Sequence, residues 1–276
     1  MMHRHIITRT LKIAGGLFPV LTIPILLVAA GCAASATPEK RFTEILYRYT
    51  GSPEPLGIAR LSVSAAEAVP LSLRGKAVTI MVHPAYSLFF RDERRSTYSA
   101  AKYDLLKFQL DSEARFIAEI AKSDNLLILV LPGDYEKDSV APSSYTFYLN
   151  SSTRSSPRVF YLSSESSRSG SLSMDAMVTL YGFLQKVKAE KVIIGGGYIG
   201  RCQQEFYSQI TTYVHNIPVF IVPEISSISP DDINNDDAQE IMNNLRQRDY
   251  SPVRKFIEKR GQGNANVLHV PSAPAL

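Results

Sequence analysis

Cysteine is scarce in this chain. Its 276 residues hold only Cys32 and Cys202, which excludes a disulfide framework and a cysteine-ligated metal cluster. Histidine is almost as sparse. The five present do not fall at metal-ligand spacing, so no metal is expected. The acidic group Asp231, Asp232, Asp236 and Asp237 lacks the glycine and closing glutamate of a calcium loop, and reads as a solvated helix start. Tryptophan is absent, and that excludes nothing. Net charge is also small. The formal value is +4, and setting aside the three leader charges Arg4, Arg9 and Lys12 leaves about +1. That balance gives no reason to expect nucleic acid as a partner.

What is present begins with an amphipathic contrast at the N-terminus. A basic stretch precedes an apolar run over residues 13–30, interrupted by Pro19 and Pro24 and closing at Val28-Ala29-Ala30-Gly31-Cys32. Basic start, apolar middle and small residues at the end define a secretory signal, and the prolines oppose a stable spanning helix. The closing run resembles the lipobox of bacterial lipoproteins, with Ala29 where leucine is more usual. The resemblance implies cleavage after residue 31 and acylation of Cys32 by palmitate-like chains. Each buried CH2 contributes about 0.8 kcal/mol, so several chains anchor firmly. Ala33 is not the aspartate that often retains such proteins in the inner membrane, which favours the outer one. The expected location is the cell envelope, facing the periplasm, with the membrane as the one implied partner. Cys202 is then a thiol without a partner in an oxidising compartment, either buried and inert or reactive.

After the leader, residues 32–75 read as lipidated cysteine, tether and N-terminal excursion, 76–260 as the domain, and 261–276 as a tail. Apolar runs predict strands over 77–82, 126–131, 158–162, 192–194 and 219–222. They end at His83-Pro84, Pro132-Gly133-Asp134, the serine-rich loop 163–173, a glycine turn and Pro223-Glu224. Helical spacing predicts helices over 103–121 and 201–214, after Ser173, and from Ser229-Pro230 and Ser251-Pro252. Residues 145–149 read as a short strand or hairpin, and 150–157 as loop. Strands alternating with helices predict an α/β fold: three layers, α/β/α, around a mainly parallel, Rossmann-like sheet of five or six strands. Ligands in such folds lie beyond the carboxyl ends of the strands.

The stretch Val192-Ile193-Ile194-Gly195-Gly196-Gly197-Tyr198-Ile199-Gly200-Arg201-Cys202 admits two chemistries. Gly195, Gly197 and Gly200 match the dinucleotide fingerprint between a strand and a helix, with Glu224 where an acid would hold ribose hydroxyls. Glycines that only turn the chain tightly are the simpler reading, and no cofactor is expected. Alternatively, Cys202 stands in the first helical turn, where the helix dipole stabilises a thiolate. Backbone N–H groups around Gly200 and Arg201 could hold an oxyanion there.

The order of segments over residues 76–227, with Cys202 in Gly200-Arg201-Cys202-Gln203, resembles the isochorismatase-like cysteine hydrolase family. In that family an aspartate ends the first strand, a lysine follows the third, and the nucleophilic cysteine follows the fourth. Here the cysteine carries over as Cys202. His83 stands at the aspartate's place, and serines with Glu165 stand at the lysine's. The resemblance implies the fold and, through Cys202, hydrolysis of small amides or esters. The two replacements imply an inactive relative that keeps the fold as a binding or assembly module. If the first and fourth of these strands are neighbours, His83 could take the thiol's proton, with Asp134 or Glu165 orienting it.

Overall fold

Six strands pair side by side, five of them largely apolar, and every pairing is parallel. The computed structural model describes residues 49, 55–89, 98–135 and 143–261; the leader with Cys32, the tether and residues 262–276 lie outside them. The strands are β1 (Ala59–Arg60), β2 (Val78–Val82), β3 (Leu126–Leu131), β4 (Val159–Ser163), β5 (Val192–Tyr198) and β6 (Val219–Ser227). Their order across the sheet is β1-β4-β3-β2-β5-β6. The chain winds one way from β2 to β4 and the other way from β5 to β6. The crossover point between β2 and β5 is where such sheets open a crevice.

The helices are α1 (Ala65–Ala68), α2 (Tyr86–Phe89), α3 (Ala100–Lys122), α4 (Ser143–Thr153), α5 (Met174–Lys186), α6 (Cys202–Tyr213), α7 (Asn235–Arg246) and α8 (Ser251–Arg260). Alternate residues of the central strands serve different cores. Ile80, Ile128 and Val130 pack with Phe183 of α5 and Phe206 of α6. Met81, Leu127 and Leu129 pack with Ile117 of α3 and Tyr145 of α4. The sheet is therefore covered on both faces, which is why β2 and β3 are apolar at nearly every position. Burying one such side chain contributes about 1.5–3 kcal/mol. Among the described residues no helix is long and apolar enough to cross a membrane.

Several boundaries differ from the sequence expectation, each for a physical reason. The sheet recruits β1 from the segment read as an excursion, so the domain starts before residue 76. Residues 145–149 are helical, because Tyr145, Tyr148, Leu149 and Ser152 recur at helical spacing on the buried face of α4. β5 does not stop at Ile194 but carries Gly195 to Tyr198 through two register shifts against β6. β6 runs past Pro223, which is tolerated because β6 is an edge strand. Ser229-Pro230 opens only a single turn, and α7 begins later under Asn234, whose side chain accepts the Asp237 N–H at 2.8 Å. The loop 163–173 is pinned: Glu205 accepts from Ser169 Oγ and the Gly170 N–H, and Gln209 bonds both backbone groups of Leu172.

Candidate functional site

His83 follows the last residue of β2. Its φ is +43° and that of Ala85 is +52°, and such conformations cost non-glycine residues on the order of 1–3 kcal/mol each. The turn folds the chain back into α2 and seals the imidazole inside at 0% exposure. Its Nε2 lies 2.9 Å from Ser164 Oγ. That hydroxyl already donates to the Ser166 carbonyl at 2.7 Å. One hydroxyl has one proton, so Nε2 carries the hydrogen and donates to Ser164. Nδ1 then holds a bare lone pair, buried and without a hydrogen-bond partner among the described residues. Burial pushes the imidazole pKa down to about 3. The ring stacks on Tyr86 at 5.3 Å and 17°, and Tyr198 meets Tyr86 edge-on at 5.7 Å.

Cys202 is the first residue of α6 and is 3% exposed. Its Sγ accepts the Tyr198 N–H at 3.3 Å. Burial pushes the thiol up to about 11, outweighing the stabilising bonds from the Tyr198 and Gln203 backbone. Because β2 and β5 pair in parallel, His83 and Cys202 do emerge at one edge of the sheet from neighbouring strands, as the sequence suggested. No hydrogen bond joins them. The imidazole proton goes to Ser164, and the thiol binds backbone. Glu165 is exposed, with its N–H on the Ser171 carbonyl, so the group that orients His83 is the adjacent Ser164. Asp134 stands in the single turn Gly133–Tyr135 after β3, and its side chain lies outside the described residues.

Of the two residues expected to supply oxyanion donors, Arg201 is engaged elsewhere. The Arg201 N–H bonds the Tyr198 carbonyl at 3.1 Å. Its guanidinium grips Asp232 through Nε at 3.0 Å and Nη2 at 2.7 Å. Gly200 faces Arg260, whose Cβ lies 2.9 Å from where a Gly200 Cβ would stand. Asp231 accepts the Tyr98 hydroxyl at 2.9 Å, so the acidic group ties elements together. Among the described residues no cluster of three histidines, cysteines or carboxylates could hold a metal.

Space beside Gly195 is filled by Ile225, and beside Gly197 by the Val82 carbonyl and Cys202 Sγ. Gly197 and Gly200 adopt φ of +58° and +75°, which turn the chain tightly. Glu224 sits within β6, which continues to Ser227, and not at a strand tip where a ribose would lie.

One residue that sequence reasoning missed dominates the electrostatics. Glu113 of α3 is 3% exposed. Its Oε2 accepts the Ala85 N–H at 2.7 Å and its Oε1 accepts the Ser227 hydroxyl. Burial raises its pKa to about 7 despite both bonds. Among the described residues, no lysine or arginine forms an ion pair with it. The signal was available: Leu106, Leu110 and Ile117 mark the buried stripe of α3, and position 113 falls on that stripe. Glu113, His83, Tyr86, Gln109, Tyr198 and Ser227 line a small pocket, partly open to solvent, with room for little more than a water molecule. Cys202 is not among its lining residues.

Fold and site together define an α/β protein with an all-parallel sheet and a small, partly open pocket at its crossover point, lined in part by buried polar side chains. No protein-family model matches the chain, and no curated protein does. Among solved structures it is similar to YcaC of Escherichia coli, an octameric hydrolase of unknown specificity. That likeness has 12% identity, covers 72% of this chain and 76% of that one, and has a TM-score of 0.34. It is also similar to pyrazinamidase/nicotinamidase of Streptococcus mutans, at 11% identity over 70% of this chain and 99% of that one, with a TM-score of 0.40. A third is YcaC of Pseudomonas aeruginosa, at 12% identity over 72% and 77%, with a TM-score of 0.34.

Proposed function

We propose that this chain is a lipid-anchored envelope protein whose α/β domain binds a ligand and does not hydrolyse one through its thiol. The observation that supports this most is the state of Cys202: 3% exposed, with a thiol pKa near 11 and no base hydrogen-bonded to it. At pH 7 such a thiol is about one part in ten thousand thiolate, far below what a nucleophile needs. The aspartate and lysine that the isochorismatase-like resemblance calls for are replaced at both positions, by His83 and by serines with Glu165. The pocket at the crossover point keeps polar groups that suit binding.

Iodoacetamide labelling tests this in a Cys32→Ser protein, where Cys202 is the one thiol. The folded protein is expected to label at least a hundredfold more slowly at pH 7.5 than the guanidinium-unfolded chain, with His83→Ala leaving that ratio unchanged. Stoichiometric labelling with an apparent pKa below 8.5 that moves in His83→Ala would restore the cysteine hydrolase.

The anchor is tested separately. Palmitate incorporation and recovery in the outer-membrane fraction are expected for the wild type, and both should vanish in Cys32→Ser. Undiminished incorporation in that variant would remove the lipid reading.

A further inference from the structure

Every strand of the sheet runs the same way, so all the amino ends meet one edge of the domain. The segments leading into the strands along that edge are basic. Lys76 precedes β2, Lys122 precedes β3, Arg154 precedes β4, and Lys188 and Lys191 precede β5. Lys122, Arg154 and Lys188 are exposed, and Lys76 and Lys191 are half-buried. None of them forms an ion pair among the described residues. In the same segments Asp124 pairs with Arg158 at 3.5 Å, which leaves Glu190 as the opposing charge. The chain beyond its leader carries only about +1, so positive charge is concentrated on this rim.

The partial negative charge of a helix C-terminus suits Lys122, in the last turn of α3. It does not account for Lys76 and Lys191, which lie outside any helix. Arg154 and Lys188 adopt φ of +51° and +53°, the left-handed conformation that glycine fills most easily after a helix. Both positions hold a cation where backbone geometry favours none.

Two further features share the edge. The described chain enters the domain here. Gly57, just before β1, gives its N–H to Asn150 Oδ1 at 2.8 Å, and Asn150 Nδ2 bonds the Pro55 carbonyl at 3.0 Å. Asn150 stands in the last turn of α4, just ahead of Arg154. Residues 33–54, between Cys32 and Pro55, can span at most about 80 Å. A lipid on Cys32 keeps this edge within reach of a bilayer. Leu71, 81% exposed, lies in the single turn Leu71–Leu73 that leads into Lys76.

We propose that this basic rim docks against an anionic phospholipid surface, its cations meeting lipid phosphates and Leu71 entering the headgroup layer. Each cation close to such a surface raises affinity about fivefold. An exposed apolar side chain beside them suits the headgroup boundary. The assignment rests on the lipid-anchored reading, which supplies the bilayer.

The test is sedimentation with vesicles of the chain from residue 32 onward, carrying Cys32→Ser and so neither leader nor lipid. Vesicles are phosphatidylcholine alone or mixed with phosphatidylglycerol. Binding is expected to the mixed vesicles only, in about 0.1 M salt, and should fall at least tenfold in about 1 M salt. Arg154→Gly/Lys188→Gly should also lose at least tenfold, although glycine suits both backbones and leaves folding intact. Lys188→Gln/Lys191→Gln should match that loss, and Leu71→Ser should weaken binding severalfold. Lys255→Gln/Lys259→Gln, on α8, should bind as wild type, because α8 ends at Arg260 beside Gly200, past the opposite end of β5. Unchanged binding in the rim variants overturns the proposal, as does an equal loss in the α8 variant. So does equal binding to phosphatidylcholine alone, or tighter binding to duplex DNA at the same phosphate concentration. Absent vesicle binding with palmitate still incorporated removes the docking rim and keeps the anchor. Vesicle binding without palmitate incorporation removes the anchor and keeps the rim.

Discussion

Glu113→Gln and His83→Gln are expected to tilt the pH dependence of folding stability in opposite directions, each by about 3 kcal/mol between pH 4.5 and 6.5. His83 has an ordinary pKa of 6.5 and a folded one of about 3. Between those values the unfolded chain binds a proton that the folded one refuses. Its contribution is therefore complete above pH 6.5 and is lost as pH falls towards 3. Glu113 runs the other way, from an ordinary 4.5 to about 7 when folded. Between those values the folded chain holds a proton that the unfolded one releases. Its contribution is complete below 4.5 and is lost as pH rises towards 7. From 4.5 to 6.5 the two slopes oppose and cancel. Removing Glu113 exposes the histidine slope, so the variant gains stability with rising pH relative to wild type. Removing His83 exposes the glutamate slope, and the variant loses stability over the same interval. Urea denaturation at pH 4.5, 5.5 and 6.5 reads both. A fixed offset from imperfect packing does not matter, because only the slope is compared with wild type. Parallel lines for all three proteins would show that neither group is held in its buried state.

Gly196→Ala should cost on the order of 3–5 kcal/mol, and Gly75→Ala only about 1. Both glycines adopt φ of +69°, so the conformational part of the penalty is shared. They differ in surroundings. An added Cβ at Gly75 meets nothing within 4 Å, whereas at Gly196 it stands 2.7 Å from the Val82 carbonyl oxygen and 3.1 Å from its nitrogen. Those are backbone atoms of β2, paired in register with Gly196 itself. They can retreat only by opening the β2–β5 pairing of the sheet. The Gly196 carbonyl is also held by Gln203 Nε2 at 2.8 Å, which fixes the bulge from the helix side. Equal losses in the two variants, measured by urea denaturation, would mean that β5 can slide away from β2.

The sequence revealed most where burial acts on whole segments. β2 and β3 could be read because both faces are covered, leaving nearly continuous apolar runs of five and six residues that few other structures explain. The start of α5 could be read because Ser173 caps it through the Ala176 N–H, a local contact between neighbours in the chain. α4 could not. Its Ser-Ser-Tyr-Thr-Phe-Tyr run favours strand on propensity, and only the packing of Tyr145 and Tyr148 against the sheet overrides it. At the site, topology was legible and contact was not. Parallel strands bring His83 and Cys202 to one edge. Which atoms they bond depends on the loop bearing Ser164 and on the bulge that aims the Tyr198 N–H, and neither is a local sequence property. Glu113 escaped because carboxylates are expected on the wet side of a helix.

β1 is two residues long, yet it closes one side of the sheet: Ala59 and Arg60 lie beside Phe160 and Tyr161, and the Leu61 N–H continues the ladder onto the Tyr161 carbonyl at 2.8 Å. A chain trimmed to begin at Lys76, where composition alone draws the border, would leave that flank of β4 bare. Its unpaired amides and carbonyls would then be a template for a strand from another molecule. Truncation at the obvious boundary thus turns a shielded margin into a self-association surface, and residues 58–61 belong in any excised version of the domain.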